Sequence, residues 1–168
     1  MSRRTAAIGS AAFFLAAPGV VVGLVPWLIT HWQVREPLPF WAPVRVLGAL
    51  LIVAGLTVVI QAFARFVIEG FGTPMPIAAP SRLVVGGAYR YVRNPMYVAL
   101  LAVIVGQALL LGQLGLLLYA VLAWLAPAAF VRWYEEPALA RQFGAEYEAY
   151  RRAVPAWLPR LRPWRPYR

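Results

Sequence analysis

Long apolar runs separated by short polar breaks dominate this chain. The runs cover about 6–29, 44–68, 96–111 and 114–131. Blocks of this length and continuity predict helices that cross a bilayer. The last two are short, near the lower limit for a hydrocarbon core of roughly 30 Å. Gly112-Gln113 between them leaves room only for a tight hairpin. After the fourth run the pattern changes. Leu139, Phe143, Tyr147, Tyr150 and Val154 recur at helical spacing, with Arg141, Gln142, Glu146, Glu148, Arg151 and Arg152 between them. That pattern predicts an amphipathic helix lying on the membrane surface or capping the bundle. The expected architecture is an all-α integral membrane fold. It has four transmembrane helices plus a cytoplasmic amphipathic C-terminal helix, in one membrane domain over residues 1–168.

The breaks carry their own information. Met1-Ser2-Arg3-Arg4 before the first run resembles the start of a signal peptide. The run exceeds the usual h-region, however, and no small-x-small site ends it, so a retained helix is expected. Pro18-Gly19 is expected to kink it. The 69–95 break is rich in Gly70, Gly72, Pro74, Pro76, Pro80, Gly86 and Gly87. Breaks this long are functional or disordered, and Leu83-Val84-Val85 argues for packing. The tail from Pro155 to Arg168 mixes Pro, Trp and Arg and is expected to be extended and interfacial.

Composition agrees with the runs. Of 168 residues, 62% are hydrophobic and 13% charged, and the mean hydropathy is +0.67. A soluble domain carries about twice that share of charge. Net charge is +10, and every basic residue is arginine. The arginines flank apolar runs instead of lining one soluble basic face, so nucleic-acid binding is not expected. Arg3 and Arg4 precede the first run; Arg65, Arg82, Arg90 and Arg93 lie in or beside the 69–95 break. Arg132, Arg141, Arg151, Arg152, Arg160, Arg162, Arg165 and Arg168 follow the fourth run, whereas the other side has only Arg35 and Arg45. The positive-inside rule then places both termini and the 69–95 break in the cytoplasm. Arginine-only usage is that of a GC-rich bacterial genome, hence a bacterial plasma membrane. Cysteine is absent, which removes disulfides, thiolate ligands and a Cys nucleophile. A single histidine, His31, rules out a polyhistidine metal site within one chain, and no metal is expected. His31 falls on the outer side and is expected to be structural.

Several clusters have chemical potential. In Arg93-Asn94-Pro95, the residue before proline avoids helical geometry, proline suits the first helical turn and Asn is a good N-cap. A helix should start there with free backbone N–H groups, which attract carboxylate or phosphate. Arg90 and Arg93 would add forked donors. The plain alternative is a capped helix whose arginines touch lipid phosphate. In Arg132-Trp133-Tyr134-Glu135-Glu136-Pro137, carboxylates sit at a helix C-terminus, against its dipole. They either salt-bridge Arg132 or Arg90, or bind an ammonium or ribose hydroxyl. Gly70-Phe71-Gly72-Thr73-Pro74-Met75-Pro76 is read as a turn that would also let backbone approach a ligand. Gln61 and Arg65 inside the second run face a cavity or partner, or Arg65 snorkels.

Taken together, these parts resemble a known family. Gly86-Gly87-Ala88-Tyr89-Arg90-Tyr91-Val92-Arg93-Asn94-Pro95-Met96-Tyr97 is followed by a helical hairpin and then by Glu135-Glu136. Next comes Phe143-Gly144-Ala145-Glu146-Tyr147-Glu148-Ala149-Tyr150. The order and spacing are similar to the isoprenylcysteine carboxyl methyltransferase and phospholipid methyltransferase superfamily, over roughly 69–160. The resemblance implies a membrane methyltransferase that uses S-adenosylmethionine, with its pocket at the cytoplasmic ends of the last two helices. It implies cofactor binding by Tyr89, Arg90, Arg93, Asn94, Pro95 and Tyr97 on one arm and by Glu135 and Glu136 on the other. The family commonly has histidine where this chain has Asn94; an amide cannot carry a proton there. Tyr89, Tyr91, Tyr97, Trp133 and Tyr134 are candidate ring faces for adenine or sulfonium. No catalytic residue is assigned. The expected acceptor is a lipophilic small molecule or lipid, carrying a prenylcysteine-like carboxylate or an amine. The rival readings are an NADPH-dependent membrane reductase of the sterol-reductase type and a non-enzymatic membrane assembly protein.

Overall fold

A computed structural model describes residues 16–70 and 82–165. Among these residues every regular element is helical. The helices are α1 (Ala16–Thr30), α2 (Ala42–Gly70), α3 (Pro95–Leu111), α4 (Gly115–Phe130), α5 (Glu136–Phe143) and α6 (Ala145–Ala153). A 3-10 turn, Gly87–Arg90, precedes α3. Two stretches, Ala42–Ala62 and Gly115–Phe143, are long and apolar enough to cross a membrane; α1 and α3 are apolar but shorter. Along α2, Val46, Leu50, Val53 and Ile60 point outward without cover, which a soluble surface would not tolerate in a row.

Helices α2 and α3 pack closely because glycines meet glycines. A Cβ on Gly48 would lie 2.6 Å from the Gly106 carbonyl oxygen, and one on Gly106 would lie 2.7 Å from that of Gly48. Small residues at such a crossing let two backbones touch. The α3–α4 hairpin turns on Gly112, whose φ of 66° is left-handed. The 31–41 connection packs over it: Arg35 N–H donates to Leu111 O at 2.7 Å and Trp41 Nε1 to Leu109 O at 2.8 Å. His31 caps α1 in the left-handed region and lies 5.5 Å from the Trp27 ring, the structural role expected of it.

One device recurs at two places. Residues Val20–Leu24 in α1 and Val131–Glu135 after α4 form wide turns in which N–H reaches back five residues: Val25 to Val20 O, and Glu136 to Val131 O. The next residue is proline in both, Pro26 and Pro137. A regular α-turn would drive the proline ring into the carbonyl four residues back, and widening the turn relieves that clash. In α1 this strands the carbonyls of Val21 and Val22. Tyr119 of α4 donates its hydroxyl to Val21 O at 2.8 Å, and Gln107 of α3 its amide to Val22 O at 2.7 Å. Gly19 itself keeps regular helical dihedrals (φ −59°, ψ −40°), so the irregularity expected at Pro18-Gly19 lies instead in the wide turn before Pro26.

The amphipathic segment differs from expectation. It is two short helices, broken at Gly144 (φ 52°, ψ −125°), a conformation that glycine tolerates. Tyr147, Tyr150 and Val154 are buried and pack with Leu83, Val85, Leu139 and Phe143. Val84, pointing the other way, packs with Ala62 and Tyr89. The packing argued from Leu83-Val84-Val85 is therefore real. The Gly-Pro stretch from Phe71 to Pro76 lies outside the described residues.

Candidate active site

Pro95 opens α3 at its first position, as its fixed φ and missing N–H dictate. Asn94 occupies the N-cap position, but its side chain does not cap the helix. Its amide instead donates to Ala156 O at 3.1 Å. That carbonyl belongs to the segment after α6, which runs along residues 90–94. Arg93 N–H donates to Pro155 O, Arg160 N–H to Tyr91 O and Trp164 N–H to Arg90 O, each at 2.9 Å. The extended tail is thus a strap stitched across the entrance to α3.

Arg93 is the hub. Its NH1 donates to Glu136 Oε1 at 2.6 Å and to the Tyr147 hydroxyl at 3.0 Å, and its Nε donates to Val154 O at 3.0 Å. One guanidinium therefore joins the start of α3, the start of α5, α6 and the strap. Both charged side chains are largely buried, at 13% and 12% exposure. The partner of Glu136 is Arg93, where Arg132 or Arg90 was expected. Arg90 is itself engaged, its Nε donating to Trp164 O at 2.8 Å.

Glu135 is placed differently. It is half-buried and makes no hydrogen bond or ion pair among the described residues, yet it lies within electrostatic reach of Tyr97, Arg93 and Glu136. The wide turn sets where this pair points relative to α4. One extra residue in a turn rotates everything after it by about 100° relative to α4. Glu135 and Glu136 turn together with it, and being about 100° apart on the helix they part there: Glu136 meets Arg93 and Glu135 does not.

Aromatic rings close the same region. Trp157 of the strap lies 6.3 Å from the Tyr97 ring and 5.9 Å, edge-on, from Trp124 of α4. Sequence reading did not select Trp157 or Trp124. Their signal was only tryptophan in an arginine-rich tail and within an apolar run. Trp133 and Tyr134, chosen as ring faces, are exposed; Tyr134 stacks on Phe130 at 5.1 Å. Tyr91 is also exposed, and Tyr89 is buried against Ala62 and Val84 with its carbonyl accepting from the Tyr150 hydroxyl at 2.7 Å. Burial pushes the Tyr147 hydroxyl above its ordinary value of 10, with the Arg93 guanidinium pulling the other way. Burial likewise raises Tyr150. Arg65, expected to face a partner or snorkel, folds its stem against Gly87, where a Cβ would lie 3.2 Å from its Cγ. Among the described residues no cluster of carboxylates and histidine has metal-binding geometry.

The comparisons with known proteins bear on this same region. A family model described as phospholipid methyltransferase matches residues 43–146. The protein-S-isoprenylcysteine O-methyltransferase of Schizosaccharomyces pombe is 37% identical over 78 residues, which is 46% of this chain and 33% of that protein. The chain therefore spans about a third of the length of the curated relative it matches.

Proposed function

Since the chain belongs to the phospholipid methyltransferase family, we propose that it transfers a methyl group from S-adenosylmethionine to a lipophilic acceptor at the cytoplasmic face of a membrane. The acceptor nucleophile is a prenylcysteine-like carboxylate or a lipid amine. The topology of this reading has four crossings, α1 to α4, with both termini and the α2–α3 connection on the arginine-rich side. At about 1.5 Å per residue, α3 reaches about 25 Å, enough for a locally thinned core.

The observation that carries the reading is the meeting of both hairpin arms at one point. Arg93 at the start of α3 holds Glu136 beyond α4 at 2.6 Å, and the adjacent Glu135, within electrostatic reach of Tyr97, has no hydrogen-bond or ion-pair partner among the described residues. A half-buried carboxylate without a partner is costly unless a ligand compensates it. The donor set fits the cofactor: Glu135 matches its ammonium or ribose hydroxyls, and Tyr97, Trp157 and Trp124 offer ring faces to adenine or sulfonium. When bound, S-adenosylmethionine supplies a methyl group activated by a sulfonium sulfur. The chain's own residues then have three tasks. Arg93 and Glu136 brace the two arms at fixed spacing, which sets alignment. Glu135 anchors and orients. Trp157 and the strap keep water out. No Cys or His is required, consistent with their absence from the region. Asn94, tied to Ala156 O, serves as a positioning residue and not as a proton carrier.

Calorimetry of the purified protein in lipid nanodiscs tests the reading. Wild type should bind S-adenosylmethionine, and Glu135→Gln should lose most of that affinity while keeping the wild-type melting temperature. A folded wild type with no binding defeats the proposal, and wild-type affinity in Glu135→Gln defeats the assignment of that residue. A lipid-extract assay with labelled cofactor, followed by mass identification of the product, names the acceptor.

A further inference from the structure

The strap carries a second, exposed surface that the proposed chemistry does not use. Its register is set by backbone bonds at residues 155, 160 and 164 and by the Asn94 amide at 156. That register turns Leu158 and Leu161 outward, at 79% and 98% exposure. Stitching of this kind leaves them no freedom to fold back. Arg162 and Arg165 beside them are exposed and make no hydrogen bond or ion pair among the described residues. Arg160, by contrast, is spent on Ala153 O at 2.6 Å. The family match ends at residue 146, so this segment lies beyond it.

The strap's depth identifies what covers this surface. It is bonded to residues 90–94, immediately before the apolar run of α3 begins at Pro95. In a bilayer crossed by α3, that level is the boundary between headgroups and acyl chains. Apolar side chains flanked by free arginines are the composition that partitions there: leucine enters the acyl boundary and guanidinium takes phosphate. A second copy of this chain would bring its own arginines against these, which charge disfavours. We infer that Leu158, Leu161, Arg162 and Arg165 form a docking surface for an anionic lipid leaflet, and that the leaflet holds the strap closed over the Arg93 ion pair. The inference requires the membrane topology but not methyl transfer.

The chain has no cysteine, so Leu161→Cys and, independently, Leu158→Cys give single labelling sites on exposed positions that folding tolerates. Each is labelled with an environment-sensitive fluorophore and placed in nanodiscs of phosphatidylcholine, with increasing phosphatidylglycerol. Spin-labelled lipids and aqueous iodide serve as opposed quenchers. The expected result is quenching by lipid at both sites, rising with the anionic fraction. Arg162→Gln and Arg165→Gln should each lower the inserted population about fivefold at a fixed anionic fraction. Iodide quenching at every composition overturns the inference. So does lipid quenching indifferent to anionic lipid or to both arginine substitutions, which would make the surface merely apolar. Disulfide-linked dimers of unlabelled Leu161→Cys, formed in preference to lipid contact, would give the surface to a second copy and equally overturn it.

Discussion

Replacing Arg93 by Met keeps an apolar stem and removes the guanidinium, which isolates what the hub contributes. Three side-chain bonds are lost, to Glu136 at 2.6 Å, Tyr147 at 3.0 Å and Val154 O at 3.0 Å. The dominant cost is the carboxylate left behind: Glu136 is only 12% exposed and pairs with no other cation among the described residues. Removing one partner of a buried pair costs about 3–5 kcal/mol. For a chain of this size each kcal/mol lowers Tm by about 2–4 °C, so Arg93→Met should melt about 6–20 °C below wild type. The double variant Arg93→Met/Glu136→Leu strands no charge and should recover most of that loss, because apolar replacement of both partners is nearly neutral. Thermal unfolding followed by near-ultraviolet circular dichroism in one detergent measures wild type and both variants. The reasoning is refuted if Arg93→Met melts within about 2 °C of wild type, or if the double variant is as unstable as the single.

Three further outcomes follow from the same coordinates. Gly48→Ala puts a Cβ 2.6 Å from Gly106 O and from Leu110 N. The α2–α3 crossing must therefore open, at about 1–3 kcal/mol of overpacking, seen as a lower Tm in the same melt. Pro137→Ala returns an N–H to the helix and lets the wide turn close; stability should hold or rise while cofactor affinity falls at least tenfold by calorimetry, since Glu135 and Glu136 rotate together. Raising pH should release the α6 packing. The folded Tyr147 value lies above the unfolded value of 10, so its stabilisation is complete below pH 10 and is lost as pH climbs from there through the raised folded value. Tyrosinate absorbance and unfolding should rise together, and Tyr147→Phe should remove part of that coupling.

Which parts of this could be read from the chain follows from how local each signal is. The four apolar runs are local and long, and where they are described the helices match them closely: expected 44–68 is Ala42–Gly70 and expected 96–111 is Pro95–Leu111, while the first ten residues of the 6–29 run lie outside the described residues. Asn94-Pro95 marks the start of α3 because two adjacent residues enforce it. The fourth run was harder. Its apolar stretch ends near Val131, but the helix continues as far as Phe143 through the wide turn, because backbone geometry carries on where hydropathy stops. The break at Gly144 was hidden by a periodicity that survives it, since Leu139, Phe143, Tyr147 and Tyr150 share one cluster on either side. The pairing of Glu136 with Arg93 could not be read at all. The two are 43 positions apart, and Arg90 and Arg132 were equally basic rivals. Distance along the chain also hid Trp157, whose place beside Tyr97 depends on the strap's register.

That register is where fold and chemistry meet. A guanidinium at the start of a helix would ordinarily face solvent or lipid phosphate, and a strap of Pro, Trp and Arg would ordinarily have no fixed path. Each cures the other's deficit. The strap's carbonyls at Val154, Pro155 and Ala156 take the donors of Arg93 and Asn94, and those donors fix the strap. Arg93 spends three of its five N–H donors on Glu136, Tyr147 and Val154 O, and its second terminal nitrogen bonds nothing among the described residues. Beside it the Glu135 carboxyl also has no hydrogen-bond or ion-pair partner among the described residues and lies within electrostatic reach of Arg93, so the site offers a carboxyl and a guanidinium edge together. A nucleoside bearing an amino acid, with an ammonium for Glu135 and a carboxylate for Arg93, matches that pair, whereas the phosphates of a dinucleotide meet the Glu135 carboxyl; this is a physical reason to prefer methyl transfer over a pyridine-nucleotide reductase for this chain.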